Sequence, residues 1–334
     1  MLSLMKRLPG ILLLLLLCAI GWLGWTALMP VSLPDAGYRL LVGPNRTMKQ
    51  IARTLGEDGA VRSPQLLVAL ARLSGSDRKI KAGLYRFQGP QSLLDVLQRL
   101  REGRPDEASL TTIEGWTFRQ FRQAIDRSPD LSHDAQKLSD AELMSKLGLP
   151  GADPEGLFFP STYLFTPGAS DMDLYRLSFE KMQQQLAAAW ESRKPNLPYR
   201  TPYEMLIMAS LIEKETANEL DRPMVASVFV NRLKLGMRLQ TDPSVIYGMG
   251  DRYQGNIGKA DLRRDTPYNT YTRAGLTPTP ISLPSRAALY AAAQPAESTA
   301  LYFVARGDGS SQFSSTLEEH NQAVRKYILK KGKQ

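Results

Sequence analysis

Residues 8–34 form a run without one charged side chain, and nothing in this 334-residue chain restricts its fold more. The centre of the run, 11–25, is almost wholly Leu, Ile, Gly, Trp and Cys. A helix needs roughly 20 apolar residues to cross the hydrocarbon layer, so the run is long enough to span a bilayer. Lys6 and Arg7 precede it, and the first acidic residue after it is Asp35. Positive charge on the N-terminal side holds that end in the cytoplasm. The expectation is a transmembrane anchor over 9–29, with 1–8 cytoplasmic, Trp22 and Trp25 near the outer interface, and the remainder exported. A cleaved signal peptide is the competing reading. Thr26-Ala27-Leu28-Met29 is a poor small-x-small cleavage site, so the uncleaved anchor is preferred.

An exported chain can use disulfides, but this one cannot. Cys18 is its single cysteine and lies inside the apolar run, after Leu17 rather than the small residue a lipoprotein site wants. His133 and His320 are too few and too far apart to suggest a metal site, and no cofactor is expected. Stability must come from the core, which a chain of this length can supply. The formal net charge of +9 suits an anionic partner, whether nucleic acid, lipid headgroups or an acidic polymer, and equally suits a plain basic surface. Lys and Arg are scattered, no nucleic-acid motif is present, and the anchor carries the folded part out of the cytoplasm. Nucleic acid is therefore not expected as a partner.

Beyond the anchor the pattern is α+β. Residues 30–38 read as a short linker. A small mixed domain over 36–104 is expected from strands at 38–42 and 82–87 and helices at 47–55, 63–73 and 92–100. Thr47, Ser63 and Ser92 stand at N-cap positions, with Pro64 at N1. Residues 102–107 read as a turn or linker. A larger mixed α/β domain over 108–332 follows, with a strand at 110–113 and helices at 118–125, 140–147, 171–192, 201–217 and 222–235. Residues 156–165 are densely aromatic. A hairpin pairs 301–305 with 312–314, and Thr316-Leu317-Glu318-Glu319 opens the last helix as a capping box.

The chemistry concentrates where the apolar run 205–212 meets Glu213-Lys214-Glu215-Thr216. A carboxyl at the end of such a run is half buried, and burial disfavours its charged form. That produces a general acid still protonated near neutral pH. Two residues apart on a helix, Glu213 and Glu215 point about 200° from one another. They are not a same-face pair, and periodicity does not choose between them. The competing view is a solvated last turn with Lys214 as counter-charge, since acidic residues at helix ends are usually surface residues. Asn231, Gln240, Thr241, Asp242, Ser244 and Tyr247, then Tyr268-Asn269-Thr270-Tyr271, alternate aromatic faces with amides and hydroxyls. Sugars offer CH faces and hydroxyls to such a wall.

The run 213–216, the stretch Ala226-Ser227-Val228-Phe229-Val230-Asn231-Arg232-Leu233 and the stretch 237–248 (Met-Arg-Leu-Gln-Thr-Asp-Pro-Ser-Val-Ile-Tyr-Gly) together resemble the MltG (YceG-like) family of endolytic murein transglycosylases. Tyr268-Asn269-Thr270-Tyr271, Ala82-Gly83-Leu84-Tyr85, Glu114-Gly115, Gly156-Leu157-Phe158-Phe159-Pro160 and His320-Asn321 extend the resemblance over nearly the whole chain. It implies a single-pass inner-membrane enzyme facing the periplasm, with 36–104 similar to a LysM peptidoglycan-binding module and 108–332 catalytic. Glu215 matches the family's catalytic glutamate, and Glu213 takes a supporting role at most. The implied reaction cleaves the β-1,4 bond from N-acetylmuramic acid to N-acetylglucosamine in nascent glycan, leaving 1,6-anhydro ends and terminating elongation. Glycan strands, the inner membrane and cell-wall synthases are the implied partners. Gln240, Thr241, Asp242, Tyr247, Asn269 and Tyr271 are the expected substrate-binding residues. Asp242 reads mainly as a turn residue before Pro243. As a second carboxylate it would instead make the protein a glycan hydrolase. A non-catalytic, membrane-tethered peptidoglycan-binding scaffold is the remaining alternative.

Overall fold

The computed structural model describes residues 38–43, 46–81, 83–87, 91–102 and 108–329, together with 17, 18, 21, 22, 24–26, 28 and 29. The expected cytoplasmic segment 1–8, most of the expected anchor 9–29, most of the linkers 30–38 and 102–107, and residues 330–332 of the larger domain lie outside the described residues. Trp22 and Trp25 are exposed. Among the described residues no helix is long and apolar enough to cross a membrane.

The chain divides into two units. One comprises 1–109, 129–132 and 164–169, the other 110–128, 133–163 and 170–334. In the first, β1 (Tyr38–Val42) is followed by α1 (Met48–Glu57), α2 (Pro64–Leu73), β2 (Gly83–Phe87) and α3 (Leu93–Glu102). The strands pair antiparallel, with Tyr38 opposite Phe87 and Val42 opposite Gly83. Alternate strand residues Leu40, Val42, Tyr85 and Phe87 face the core, as the two-residue period of a strand requires. Met48, Ile51, Ala52 and Leu55 of α1, Leu67 and Ala71 of α2, and Leu93, Val96, Leu97 and Leu100 of α3 close over them at helical spacing. Thr47 and Gln50 form a reciprocal capping box, and Ser92 and Asp95 exchange the same pair of bonds. Ser63 holds the N-cap position of α2, but its hydroxyl makes no cap bond, so Pro64 at N1 carries that boundary.

The boundary of the second unit passes through β3 (Ala108–Thr111) and through β4 (Thr162–Phe165), which lies beside it. The helices are α4 (Phe118–Asp126), α5 (Asp140–Lys146), α6 (Asp171–Glu191), α7 (Pro202–Glu215), α8 (Arg222–Lys234), α9 (Asp242–Met249), α10 (Lys259–Arg263), α11 (Arg286–Ala293) and α12 (Leu317–Val324), with hairpin β5 (Tyr302–Ala305) and β6 (Ser311–Ser314) before α12. Every residue from Met205 to Ile212 is buried, so α7 is the central helix of this unit. The alanine-rich α11 packs against α6, α7 and α8, because its small side chains let backbones approach closely. Phe118, Phe121, Phe158 and Tyr175 meet at centroid distances of 5.2–6.5 Å in a second focus of the core. That focus absorbs part of the aromatic stretch 156–165.

Gly156 is a tight joint. Its φ is +77°, and a Cβ there would lie 2.4 Å from Cβ of Pro280 and 3.3 Å from the Ser282 carbonyl. Two residues on, Ile281 and Ser282 grip α7: the Ile281 amide donates to Ser210 Oγ at 3.0 Å, and Ser282 Oγ donates to the Ser210 carbonyl at 3.2 Å.

A carboxylic acid at the end of the buried helix

The expected continuation of α7 to residue 217 does not occur. The helix ends at Glu215, because Thr216 turns extended (φ −145°, ψ 131°) and its hydroxyl accepts the Asn218 amide at 3.1 Å. Glu215 is therefore the last residue of a helix that is buried throughout from Met205 to Ile212. The C-terminal end of the helix dipole repels a carboxylate. Burial, first, and the charge of Asp242 push the Glu215 carboxyl above the usual carboxylate range, while the Thr241 hydrogen bond and Arg232 pull the other way. Among the described residues no cation lies within ion-pair distance of it.

Thr241 Oγ1 donates to Glu215 Oε2 at 2.7 Å. Thr241 stands at the N-cap of α9 and is 2% exposed, yet its hydroxyl makes no cap bond. The group that would ordinarily close the helix is turned onto the acid. Its backbone is laced to the 269–272 segment. The Thr241 amide donates to Thr270 Oγ1 at 3.0 Å, the Gln240 amide to the Thr270 carbonyl at 3.2 Å, and Ser244 and Thr270 share a hydroxyl contact at 2.8 Å. Gln240 itself is exposed and sits at φ +50°, in the left-handed region unusual for a residue other than glycine.

Asp242 does not form a turn before Pro243. It is the first residue of α9, with Pro243 in the first helical turn, where a missing N–H costs nothing. It is exposed, and Tyr271 Oη donates to its Oδ1 at 2.6 Å. Asn269 is 1% exposed. Its amide nitrogen donates to the carbonyls of Asp261, Leu262 and Arg264 at 3.3, 3.1 and 2.7 Å, and its oxygen accepts the Tyr271 amide at 2.8 Å. With every polar atom committed, Asn269 shapes the loop rather than walling a groove. Asn231 is likewise committed, to the carbonyls of Ser298 and Ala300, and Ser244 is fully buried. The structure thus brings Thr241, Asp242 and Tyr271 to Glu215 and its immediate partners, and turns Asn231, Ser244 and Asn269 inward.

Glu213, two residues earlier, meets different surroundings. Its Oε2 accepts the Ser285 hydroxyl at 2.5 Å and the Ser285 amide at 3.0 Å, and its Oε1 lies 3.7 Å from the Arg222 guanidinium. The two side chains of that ion pair are 7% and 6% exposed. Lys214 is not the counter-charge; its ammonium donates to the Gly115 carbonyl at 3.1 Å. The solvated last turn does not form.

Tyr247 turns to another acid. Its hydroxyl donates to Glu155 Oε2 at 3.1 Å, its ring meets Tyr268 edge-on at 4.8 Å, and the Phe118 amide donates to Glu155 Oε1 at 2.9 Å. Glu155 is 4% exposed, and burial pushes its carboxyl up to about 7. Both residues line a cavity of about 1100 Å³ that also takes in Phe118, Arg119, Tyr253 and Tyr268. Glu155 is not among the residues expected from sequence, although a related signal is present: a carboxylate one glycine away from an apolar run, Leu157-Phe158-Phe159.

Such a site defines a mixed α+β protein carrying a protonatable carboxyl at a helix end, with a hydroxyl donor and, among the described residues, no ion pair. The YceG-like family matches residues 40–326, and the chain belongs to that family. It is 32% identical over 304 residues to the endolytic murein transglycosylase of Bacillus subtilis (strain 168), covering 86% of this chain and 83% of that one. It is 31% identical over 358 residues to the endolytic murein transglycosylase of Streptococcus pneumoniae serotype 2, covering 95% of this chain and 64% of that longer one. The crystal structure of a yceG-like protein from Listeria monocytogenes is similar with a TM-score of 0.55 at 27% identity, over 86% of this chain and 99% of that chain.

Proposed function

We propose that the protein is an endolytic lytic transglycosylase of peptidoglycan, anchored in the inner membrane through 9–29 with its N-terminus cytoplasmic. In this reading 36–104 is a LysM-like glycan-binding unit and 108–332 is the catalytic domain, working on nascent strands beside cell-wall synthases. The observation that carries it is Glu215: half-buried at the C-terminus of α7, outside any ion pair, and held by the Thr241 hydroxyl at 2.7 Å. The names and coverage of the relatives support the reaction class.

The steps follow from one carboxyl. Protonated Glu215 gives its proton to the glycosidic oxygen as the bond from the anomeric carbon of N-acetylmuramic acid breaks, and the N-acetylglucosamine side leaves as an alcohol. The 6-hydroxyl oxygen of the same muramic acid bonds to the anomeric carbon, and its proton returns to Glu215. The acid is regenerated, no water is consumed, and the new end is a 1,6-anhydro sugar. Classical glycoside hydrolases divide these tasks between two carboxyls at a set separation. The position of Asp242, exposed and steadied by Tyr271, supports a hydrolase as the second reading.

Mass spectrometry of peptidoglycan treated with the full-length protein in detergent, wild type beside Glu215→Gln, tests the proposal. Anhydro-muramic ends from the wild type and none from the variant are expected. Reducing ends heavier by one water would replace the lyase with the hydrolase. Glycan bound but uncut by both proteins would leave a tethered scaffold.

A further inference from the structure

Arg232 of α8 is 7% exposed. Its Nε donates to the Leu301 carbonyl at 2.7 Å, and its Nη1 to the Leu239 carbonyl at 2.7 Å. The guanidinium carbon sits 5.3 Å from the centre of the Tyr302 ring, which in turn stacks on His320 at 5.2 Å. Among the described residues no carboxylate lies within ion-pair distance of it. That is unusual, because a desolvated charge costs several kcal/mol and buried arginines normally carry an anion. Here carbonyl oxygens and an aromatic face hold the cation, and its positive field is left uncancelled at contact range.

Two routes lead from Arg232 to Glu215. The first is mechanical: Leu239, whose carbonyl it grips, precedes Gln240 and Thr241, so Arg232 pins the strap that delivers the Thr241 hydroxyl. The second is electrostatic: the charges of Arg232 and Glu215 act on one another without touching. The remaining charged or titratable groups facing Glu215 are Asp242 and Tyr271, and those facing Arg232 are Tyr271, Tyr302 and His320.

We infer that Arg232 is a positioning residue of the acid–base cycle, a stand-off cation that keeps the ionised form of Glu215 within reach between its two proton transfers. The inference rests on the reading of Glu215 as acid and base. After the first transfer Glu215 is a carboxylate at a helix C-terminus, half-buried, beside Asp242, and each of these opposes its charge. With no nearby cation, that transfer would run uphill. A cation in direct contact would hold Glu215 ionised and leave no acid to start the reaction. A guanidinium tied to carbonyls at a distance does neither.

The test uses full-length protein in detergent, with 13C-labelled glutamate and the Glu215 signal assigned by its loss in Glu215→Gln. The carboxyl is titrated in wild type, Arg232→Met and Arg232→Lys. Removing the cation disfavours the carboxylate, so Arg232→Met is expected to titrate about one pH unit higher, with the high-pH limb of kcat/KM moving up alongside. Arg232→Lys keeps the charge and is expected to titrate as wild type while losing rate through a looser strap. Should Arg232→Met fail to fold, Arg232→Gln is neutral yet can still donate to the Leu239 carbonyl, and the same rise is expected of it. A Glu215 titration unchanged or lowered in the neutral variants overturns the inference, whatever happens to the rate. Because the titration needs no turnover, it stands apart from any failure of the wild type to make anhydro ends.

Discussion

Glu213 and Glu215 share one helical turn and one residue type, and they face opposite electrostatic worlds. On the Glu213 side a buried guanidinium, a hydroxyl and a backbone amide converge on the carboxylate. On the Glu215 side there is one hydroxyl, a neighbouring aspartate and a cation held off by carbonyls. The first acid is tied down by these partners and braces α7 against the N-termini of α8 and α11. Burial, first, raises the carboxyl of the second above the usual carboxylate range, so it holds its proton to higher pH than an exposed glutamate does. The lesson is that a helix end offers two faces, and the elements packed on each face decide whether a carboxyl is tied down by several partners or left with few.

Exchanging the two acids' fates is the strongest challenge to this contrast. Glu215→Gln should lower formation of anhydro ends by about 10³-fold or more, the scale of lost general acid–base catalysis. It should also raise the melting temperature at neutral and alkaline pH. A carboxyl whose folded pKa is raised stabilises the fold fully only at low pH, and that contribution is lost as pH rises through the folded value, so a neutral amide removes a growing penalty. A melting temperature that fell at high pH would place Glu215 among the braces. Glu213→Gln should do the reverse, costing about 3 kcal/mol of unfolding free energy because Arg222 is left buried without its anion. Urea denaturation measures this, and catalysis in the surviving folded fraction should stay within severalfold of wild type. Thr241→Val removes the hydroxyl that donates to Glu215 and should reduce kcat about tenfold, with the high-pH limb moving upward because the carboxylate loses that hydrogen bond. A limb that moved down would contradict the assigned direction of that bond. Tyr271→Phe frees Asp242 at the surface and should change kcat/KM by only about twofold, the worth of one exposed hydrogen bond.

The elements with strong periodicity and local caps were legible from residues alone: α1 behind Thr47, α3 behind Ser92, α6, α8, the β5–β6 hairpin, and α12 behind its Thr316–Glu319 box. Helix α9 was not. Asp242-Pro243 carries a turn signal, and the same dipeptide serves equally as the first turn of a helix; only the packing of 244–249 decides. Helices α10 and α11 are too short or too uniformly alanine to show a stripe. At the site, the sequence narrowed the acid to two glutamates and could not choose by period. The deciding partners, Arg222, Thr241 and Ser285, lie 9, 26 and 72 positions from the acid that each one touches. The inward bonds of Asn269 were hidden for a related reason: an amide that shapes a loop reads the same in sequence as one that faces a groove.

Gly156 carries a consequence for anyone mapping this chain by random mutagenesis. It has no acid, no hydroxyl and no place beside Glu215, yet a methyl group there would collide with Pro280 and displace the segment that clamps Ser210 inside α7. Loss-of-function alleles will gather at this glycine as densely as at the acid itself. Genetics by itself would score the packed glycine and the proposed acid alike, and only a thermal melt beside each activity assay would tell a broken joint from a lost functional group.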